Sequence, residues 1–342
     1  MTTTTAAVIA SYNQAEYIEE AVRSLVGQTD EVIVVDDAST DGTADTVASL
    51  KLPSVTLLRN DRQRGVSWSF NRAVAAASAD VLLIQGGDDR SLPDRAALQA
   101  AALADPAVTL VHAVPRVIDQ RGLELPAELA AEFLAKPTAA DPLAFLFFEA
   151  NYVCAPAAAV RRADYLAHGG FPVGIDLLQD YALWLSLAAA GTVVDLGEPV
   201  VEYRKHGTNT SREYVGLDSV KRRRLSAEME FTRNHFLDAA SPATLLVLAS
   251  ACGIESGWAS SIDSDDLRML IRLSHQDKLV SRRGLAALFA IAASPDAESR
   301  LSALRLEIGD LTRFSIAADH DNLEDVGRAI AVVRSATKNP GE

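Results

Sequence analysis

Short, fully apolar runs that break off into acidic or polar residues constrain this chain more than any other feature. Val32-Ile33-Val34-Val35 runs into Asp36-Asp37, and Val81-Leu82-Leu83-Ile84 runs into Gly86-Gly87-Asp88-Asp89. A third run, residues 6–10, ends in Ser11-Tyr12-Asn13. Runs this short, without polar alternation, read as strands buried on both faces. Residues 55–58 and 108–112 supply two more. Helical patterns lie between them: Ile18, Ala21, Val22, Leu25 and Val26 at helical spacing, then 43–50, 69–77 and 94–103, with Pro93 just inside the last. Asn13 is expected to cap the first helix, with Glu16 as its capping-box partner. Alternating strands and helices imply an α/β fold, a mostly parallel sheet flanked by helices in a Rossmann-like layering. In such sheets ligands bind beyond the carboxyl ends of the strands. The polar breaks all fall there, so Ser11, Tyr12, Asp37, Asp88 and Asp89 are expected on one rim.

The remaining 230 or so residues divide by character. Residues 113–150 are irregular, with prolines at 115, 126, 137 and 142. Within them, 143–148 is apolar and aromatic and reads as core or as a helix packed on the sheet, ahead of a wall for an acceptor pocket. A helix over 176–190 carries Trp184, and Val193-Val194 and Val200-Val201 read as short strands. After about residue 213 helical patterns dominate: 220–236, 242–251, 265–275, 282–293, 296–306 and 323–335. The expectation is an α/β domain over 1–212 and an all-α extension over 213–342, serving packing, homo-oligomerisation or partner binding.

Bulk properties exclude several functions. Lysine and arginine number 32 against 46 aspartates and glutamates, a net charge of 32 − 46 = −14. Nucleic-acid binding, which needs a basic face, is not expected. Cys154 and Cys252 sit in apolar contexts without metal-ligand spacing, as buried thiols of a reducing compartment do. The start of the chain has no signal-peptide pattern, and no apolar run is long enough to span a bilayer. A cytoplasmic location follows. The basic run Lys221-Arg222-Arg223-Arg224 reads first as a solvated helix face and second as a peripheral contact with the inner face of the membrane or a lipid-diphosphate acceptor.

The acidic breaks carry the chemistry. A carboxylate at Asp36-Asp37 can accept hydrogen bonds from a base or ribose. The glycines of a dinucleotide fingerprint are missing after the first strand, where the chain reads Ser11-Tyr12-Asn13-Gln14-Ala15, so that reading fails. Adjacent Asp88 and Asp89 repel one another unless a cation or solvent screens them. Hard oxygen ligands suit Mg2+ or Mn2+, which also bind substrate phosphates. Gly86-Gly87 before them permits close backbone approach or unusual dihedrals. Asp180 lies in the first turn of its helix, where a negative charge is favourable on local grounds alone; the alternative is a general base. His206 is a polar loop residue or completes a metal site built on Asp89.

Taken together, these segments resemble the family 2 glycosyltransferases of the GT-A fold over roughly residues 6–212. Val8-Ile9-Ala10-Ser11-Tyr12-Asn13 is similar to the family's opening strand and turn. The stretch from Glu31 to Thr43, with Asp36-Asp37-Ala38-Ser39-Thr40-Asp41-Gly42 at its centre, resembles its second motif and is the most specific match. Gly65-Val66-Ser67 with Asn71, Gly87-Asp88-Asp89, Gly169-Gly170-Phe171, Gln179-Asp180 with Leu183-Trp184, and Tyr203-Arg204-Lys205-His206 resemble the later ones. The resemblance implies a UDP-, GDP- or TDP-sugar donor. Ser11 and Tyr12 would line its site, with Tyr12 stacked on the base. Asp37 would bind the base and Asp88 would lie near ribose and metal. Asp89 and His206 would ligate Mn2+ or Mg2+, and Asp180 would be the base of an inverting transfer to an acceptor it does not identify. Ala10 and Gln179 stand where the family usually has proline and glutamate, and the metal motif lacks the acidic residue often found two positions before its last aspartate. A nucleotidyltransferase, or a nucleotide-sugar-binding module without turnover, are the alternatives.

Overall fold

A computed structural model describes residues 3–134, 141–207, 219–275 and 278–306 of the chain. The described residues form two compact units. The first takes residues up to 136 and 151–228, the second 137–150 and those from 229 onward.

In the first unit the strands are β1 (Thr5–Ser11), β2 (Glu31–Asp36), β3 (Val55–Arg59), β4 (Val81–Gly86), β5 (Arg90–Ser91), β6 (Val108–His112), β7 (Arg116–Asp119), β8 (Ala159–Arg161), β9 (Thr192–Asp195) and β10 (Val201–Lys205). Seven of them form one sheet in the order β3-β2-β1-β4-β8-β6-β9. All its pairings are parallel except those of β8, which runs antiparallel to β4 and β6. A smaller sheet, β5-β10-β7, joins the segment after β4 to the strand that carries Tyr203, Arg204 and Lys205. The helices of this unit include α1 (Ile18–Arg23), α2 (Thr43–Ser49), α3 (Val66–Ala76) and α4 (Arg95–Ala102). After them come α5 (Ala131–Leu134), α6 (Pro142–Phe148, which belongs to the second unit), α7 (Arg162–Ala167) and α8 (Gln179–Ala190).

The central strands are buried because their residues are apolar on both faces. Ala7, Ile9, Val32, Val34, Val81 and Leu83 share one cluster with Ile18, Val22 and Leu25 of α1 and its C-terminal flank. Full burial of a valine, leucine or isoleucine side chain contributes at most roughly 1.5–3 kcal/mol relative to exposure. Register then levels the strand ends: Ser11 lies beside Asp36, and Ala10 beside Gly86. The polar breaks of three strands are thus held side by side.

Two local expectations give way. Asn13 does not cap a helix. It sits at φ +52°, its Oδ1 accepts the Thr40 N–H at 2.9 Å and its own N–H donates to Ser39 Oγ at 2.9 Å, so it laces the β1 loop to the β2 loop. Asparagine's short amide serves a left-handed turn as readily as a cap. Pro93 precedes α4 rather than opening it, because Asp94 turns to φ +65° between them.

The second unit is helical. Its helices are α6, α9 (Ser219–Ala239, from residue 229), α10 (Pro242–Ala251), α11 (Ser256–Ala259), α12 (Ser264–Leu273), α13 (Lys278–Ala292) and α14 (Ala297–Ala303). Side-chain caps begin three of them: Asp141 accepts the Leu143 N–H at 2.8 Å, Ser241 the Thr244 N–H at 3.2 Å, and Asp263 the Asp265 N–H at 2.7 Å. Residues 143–148 form the expected helix but group with this unit, not with the sheet. The helix expected over 323–335 lies outside the described residues. Among the described residues no helix is long and apolar enough to cross a membrane.

Candidate active site

The end of β4 reaches the end of β1 by backbone contact. A Cβ on Gly87 would run into Gln14 Oε1 and Ser11 Oγ, and one on Gly86 into the carboxylate of Asp89. Neither glycine needs a positive φ, so the pair is there for close approach. Ser11 is buried and its hydroxyl donates to Gln14 Oε1 at 2.8 Å, while Tyr12 beside it is 43% exposed, a flat ring at the mouth of the rim.

Adjacent Asp88 and Asp89 have opposite surroundings. Asp89 is 1% exposed. Its Oδ1 accepts the Arg204 N–H at 2.8 Å and its carbonyl accepts Gln85 Nε2 at 2.8 Å. Burial and then the charge of Asp88 push its carboxyl well above the usual range, against the pull of Arg204 and Arg95. Asp88 instead meets His206: Asp88 Oδ2 and His206 Nε2 are 2.8 Å apart. His206, expected beside Asp89 as a metal ligand, has Asp88 as a hydrogen-bonding partner, while Asp89 Oδ1 is engaged by the backbone of β10.

Below Asp89 lies a buried polar network that the sequence did not disclose. Arg95 is fully buried and donates to Gln85 Oε1 (2.6 Å), Ser91 Oγ (3.0 Å), Gln99 Oε1 (3.0 Å) and the Ile84 carbonyl (2.7 Å). Desolvation pulls its pKa down to about 9. An arginine four residues before a glutamine on α4 reads as an exposed helix face. Its one signal is Gln85, a polar residue inside an otherwise apolar strand.

Asp37 is 4% exposed and clamps a loop. It accepts the N–H groups of Arg64 and Gly65, both at 2.8 Å, and Asn60 Nδ2 at 2.5 Å. A carboxylate offers about four acceptor positions, so three of them hold residues 60–65 in place. That loop leads into α3, whose Ser67 hydroxyl donates to the Ile175 carbonyl at 3.0 Å and whose Asn71 amide donates to the Phe171 carbonyl at 2.7 Å. The Gly169–Phe171 motif is thereby tied to the donor-side loop.

Asp180 stands in the first turn of α8. Its Oδ1 accepts the Tyr181 N–H at 2.7 Å and its Oδ2 accepts Asn151 Nδ2 at 3.3 Å. Burial raises its pKa to about 6, hydrogen bonding from Tyr181 and Asn151 resisting. The buried Cys154 thiol is pushed up by its own desolvation and feels the charges of both Asp89 and Asp180. Cys154 therefore lies within electrostatic reach of both Asp89 and Asp180. Of the basic run, Arg224 is committed to ion pairs with Asp176 and Glu228 (3.0 Å to the latter). The side chains of Lys221 and Arg222 lie outside the described residues.

Among the described residues no three His, Cys, Asp or Glu side chains converge to hold a cation unaided. Asp88 and His206 offer one oxygen and one nitrogen in a partly buried setting. That small donor set fits Mg2+ or Mn2+, which take substrate phosphate oxygens and water for the rest.

Known proteins share the family motifs and the fold. The family model for glycosyl transferase family 2 matches residues 6–168. The succinoglycan biosynthesis protein ExoO of Rhizobium meliloti is 40% identical over 91 residues, a match that spans 26% of this chain and 26% of that protein. The structure of Staphylococcus aureus TarS 1–349 in complex with UDP-GlcNAc superposes with a TM-score of 0.58 at 16% identity, covering 98% of this chain and 92% of that one. The mannosyltransferase PcManGT of Pyrobaculum calidifontis, in complex with GDP-Man and Mn2+, gives 0.51 at 22% identity, covering 98% and 88%. The chain thus carries a glycosyl transferase family 2 domain over residues 6–168, built on the GT-A fold.

Proposed function

We propose that the chain is an inverting, metal-dependent glycosyltransferase that moves a sugar from a nucleotide diphosphate to an acceptor hydroxyl. Synthesis of a polysaccharide, glycolipid or other glycoconjugate is the setting. The observation that carries the reading is Asp180: a carboxylate in the first turn of α8, held by the Tyr181 N–H and Asn151 Nδ2, with its pKa raised to about 6 by burial. A base with that pKa is ionised at neutral pH and still accepts a proton readily.

The donor lies along the rim. Tyr12 stacks on the base, and the backbone and side chains of residues 60–65, set by Asp37, close over it. Asp88 and His206 face the diphosphate and would hold Mn2+ or Mg2+, which supplies charge neutralisation for the leaving group. Asp180 takes the proton of the acceptor hydroxyl. That oxygen forms its bond to the anomeric carbon from the face opposite the diphosphate, the bond from that carbon to the diphosphate oxygen breaks, and the configuration inverts. Asp180 then returns the proton to water. Peripheral membrane contact and homo-oligomerisation through the helical unit belong to the same proposal.

The test is nucleoside-diphosphate release from UDP-, GDP- and TDP-sugars with Mn2+ and a mixed acceptor panel. Wild type should release one nucleotide preferentially. Asp180→Asn should bind it equally well and turn over about 10²–10⁴-fold more slowly. Binding without release by the wild type across the panel would favour a silent binding module. Undiminished turnover by Asp180→Asn would remove the base assignment.

A further inference from the structure

We infer that Tyr17 and Arg204 are positioning residues that fix the Asp88–His206 pair before any ligand arrives, through a closed ring of contacts. The inference rests on reading that pair as the diphosphate and metal end of the donor site. Four links close the ring. His206 Nε2 meets Asp88 Oδ2 at 2.8 Å. The His206 ring packs on Tyr17 with centroids 4.9 Å apart, tilted by 32°. The Arg204 guanidinium lies over the Tyr17 ring, 4.9 Å from its centroid. Arg204 Nε returns to the Asp88 carbonyl at 2.7 Å.

The ring is anchored from outside. Arg204 is 2% exposed. Its Nη2 donates to Glu20 Oε2 at 2.6 Å, its Nη1 to the carbonyls of Asp119 and Gln120 at 3.3 Å, and its backbone N–H to Asp89 Oδ1 at 2.8 Å. Glu20 is itself held by Arg90 Nη1 at 2.6 Å. Tyr17 and Glu20 both come from the start of α1, so one short helix grips the guanidinium between a ring face and a carboxylate. Arginine suits this place because its planar fork can stack and donate in several directions at once, which a lysine cannot do.

The consequence for the site is specific. Asp88 is fixed at both its carbonyl and its carboxylate, and His206 is fixed at its ring face as well as its edge. Neither Tyr17 nor Arg204 need touch the donor. Partners that orient a metal-side histidine commonly change metal affinity about 10–100-fold when lost. Tyr17 acts here by its ring face, so phenylalanine should replace it and leucine should not.

The experiment uses the full chain with Tyr17→Phe and Tyr17→Leu. Free Mn2+ is followed by electron paramagnetic resonance in the presence of UDP or GDP, and nucleotide affinity without metal is measured alongside. Tyr17→Leu should need about 10-fold more Mn2+ for half-saturation, Tyr17→Phe should match wild type, and metal-free affinity should be unchanged in both. Arg204→Lys should follow the leucine variant. Wild-type behaviour in Tyr17→Leu would overturn the inference, as would an equal loss in Tyr17→Phe. Should wild type itself take up no Mn2+ with either nucleotide, the metal reading of the function falls and the metal-free His206 imidazole nitrogen spectrum decides. A changed Nε2 signal in Tyr17→Leu but not in Tyr17→Phe supports the ring, and an unchanged one overturns it.

Discussion

Charged groups are buried in both units, and they are buried differently. In the second unit Arg272 donates from Nε to Asn234 Oδ1 at 3.0 Å and pairs with Asp238, while His275 Nε2 bonds the Phe147 carbonyl at 2.9 Å. These groups tie helix to helix, and every partner is a neighbour in the same packing. In the first unit the acids gather at the ends of β2 and β4, with Asp180 at the start of α8. There Asp89 and Asp180 are pushed up by desolvation. Polar groups placed to satisfy one another stabilise a core; acids crowded together at strand ends cost stability and are retained where chemistry needs them.

Asymmetric substitutions should sharpen that contrast. The largest effect is expected within the acidic pair. Asp88→Asn should lower Mn2+-assisted nucleotide affinity about 10–100-fold. Asp89→Asn keeps an oxygen for the Arg204 N–H and should leave that affinity near wild type; titration calorimetry with UDP or GDP separates them. The reverse ranking would return the metal to Asp89.

Next in size is a gain in stability. The folded pKa of Asp180 is raised from 3.8 to about 6, so ionisation destabilises the folded state progressively from about pH 4 to 6 and fully above that. The bound on this cost is (6 − 3.8) × 1.36, or about 3 kcal/mol. Asp180→Asn should therefore melt higher than wild type at pH 7.5 and equally at pH 4. In the second unit the sign should reverse: Arg272→Met removes the donor to Asn234 Oδ1, leaves Asp238 to Arg283 alone, and should cost about 2 kcal/mol in denaturant unfolding, with nucleotide affinity unchanged. A loss of nucleotide affinity in Arg272→Met would break the division between the two units.

The parallel core was legible because its strands are apolar on both faces and end abruptly. Residues 108–112 and 242–251 match their elements to the residue. What stayed hidden has physical reasons. β8 is three residues of Ala-Val-Arg, too short to show a pattern, and β5 and β7 are two- and four-residue segments whose pairing with β10 is long-range. The strand-end acids were legible as a group, since acids at strand ends mark a rim. Their internal assignments were not. Which of Asp88 and Asp89 faces outward depends on the backbone of β10, more than a hundred residues away, and the loop-clamping use of Asp37 depends on Arg64 and Gly65. Tyr17 gives no signal of its own, because Glu16-Tyr17-Ile18-Glu19 looks like an ordinary helix start.

The central claim is that Asp180 takes the acceptor proton, and the dependence of turnover on pH tests it most directly. With the donor and acceptor identified by the release assay, log kcat of the wild type should rise with unit slope below about pH 6 and level off above it. Asp180→Asn should be slow and show no such break. A wild-type rate that is flat from pH 4.5 to 8, or the same break near 6 in Asp180→Asn, would contradict the account.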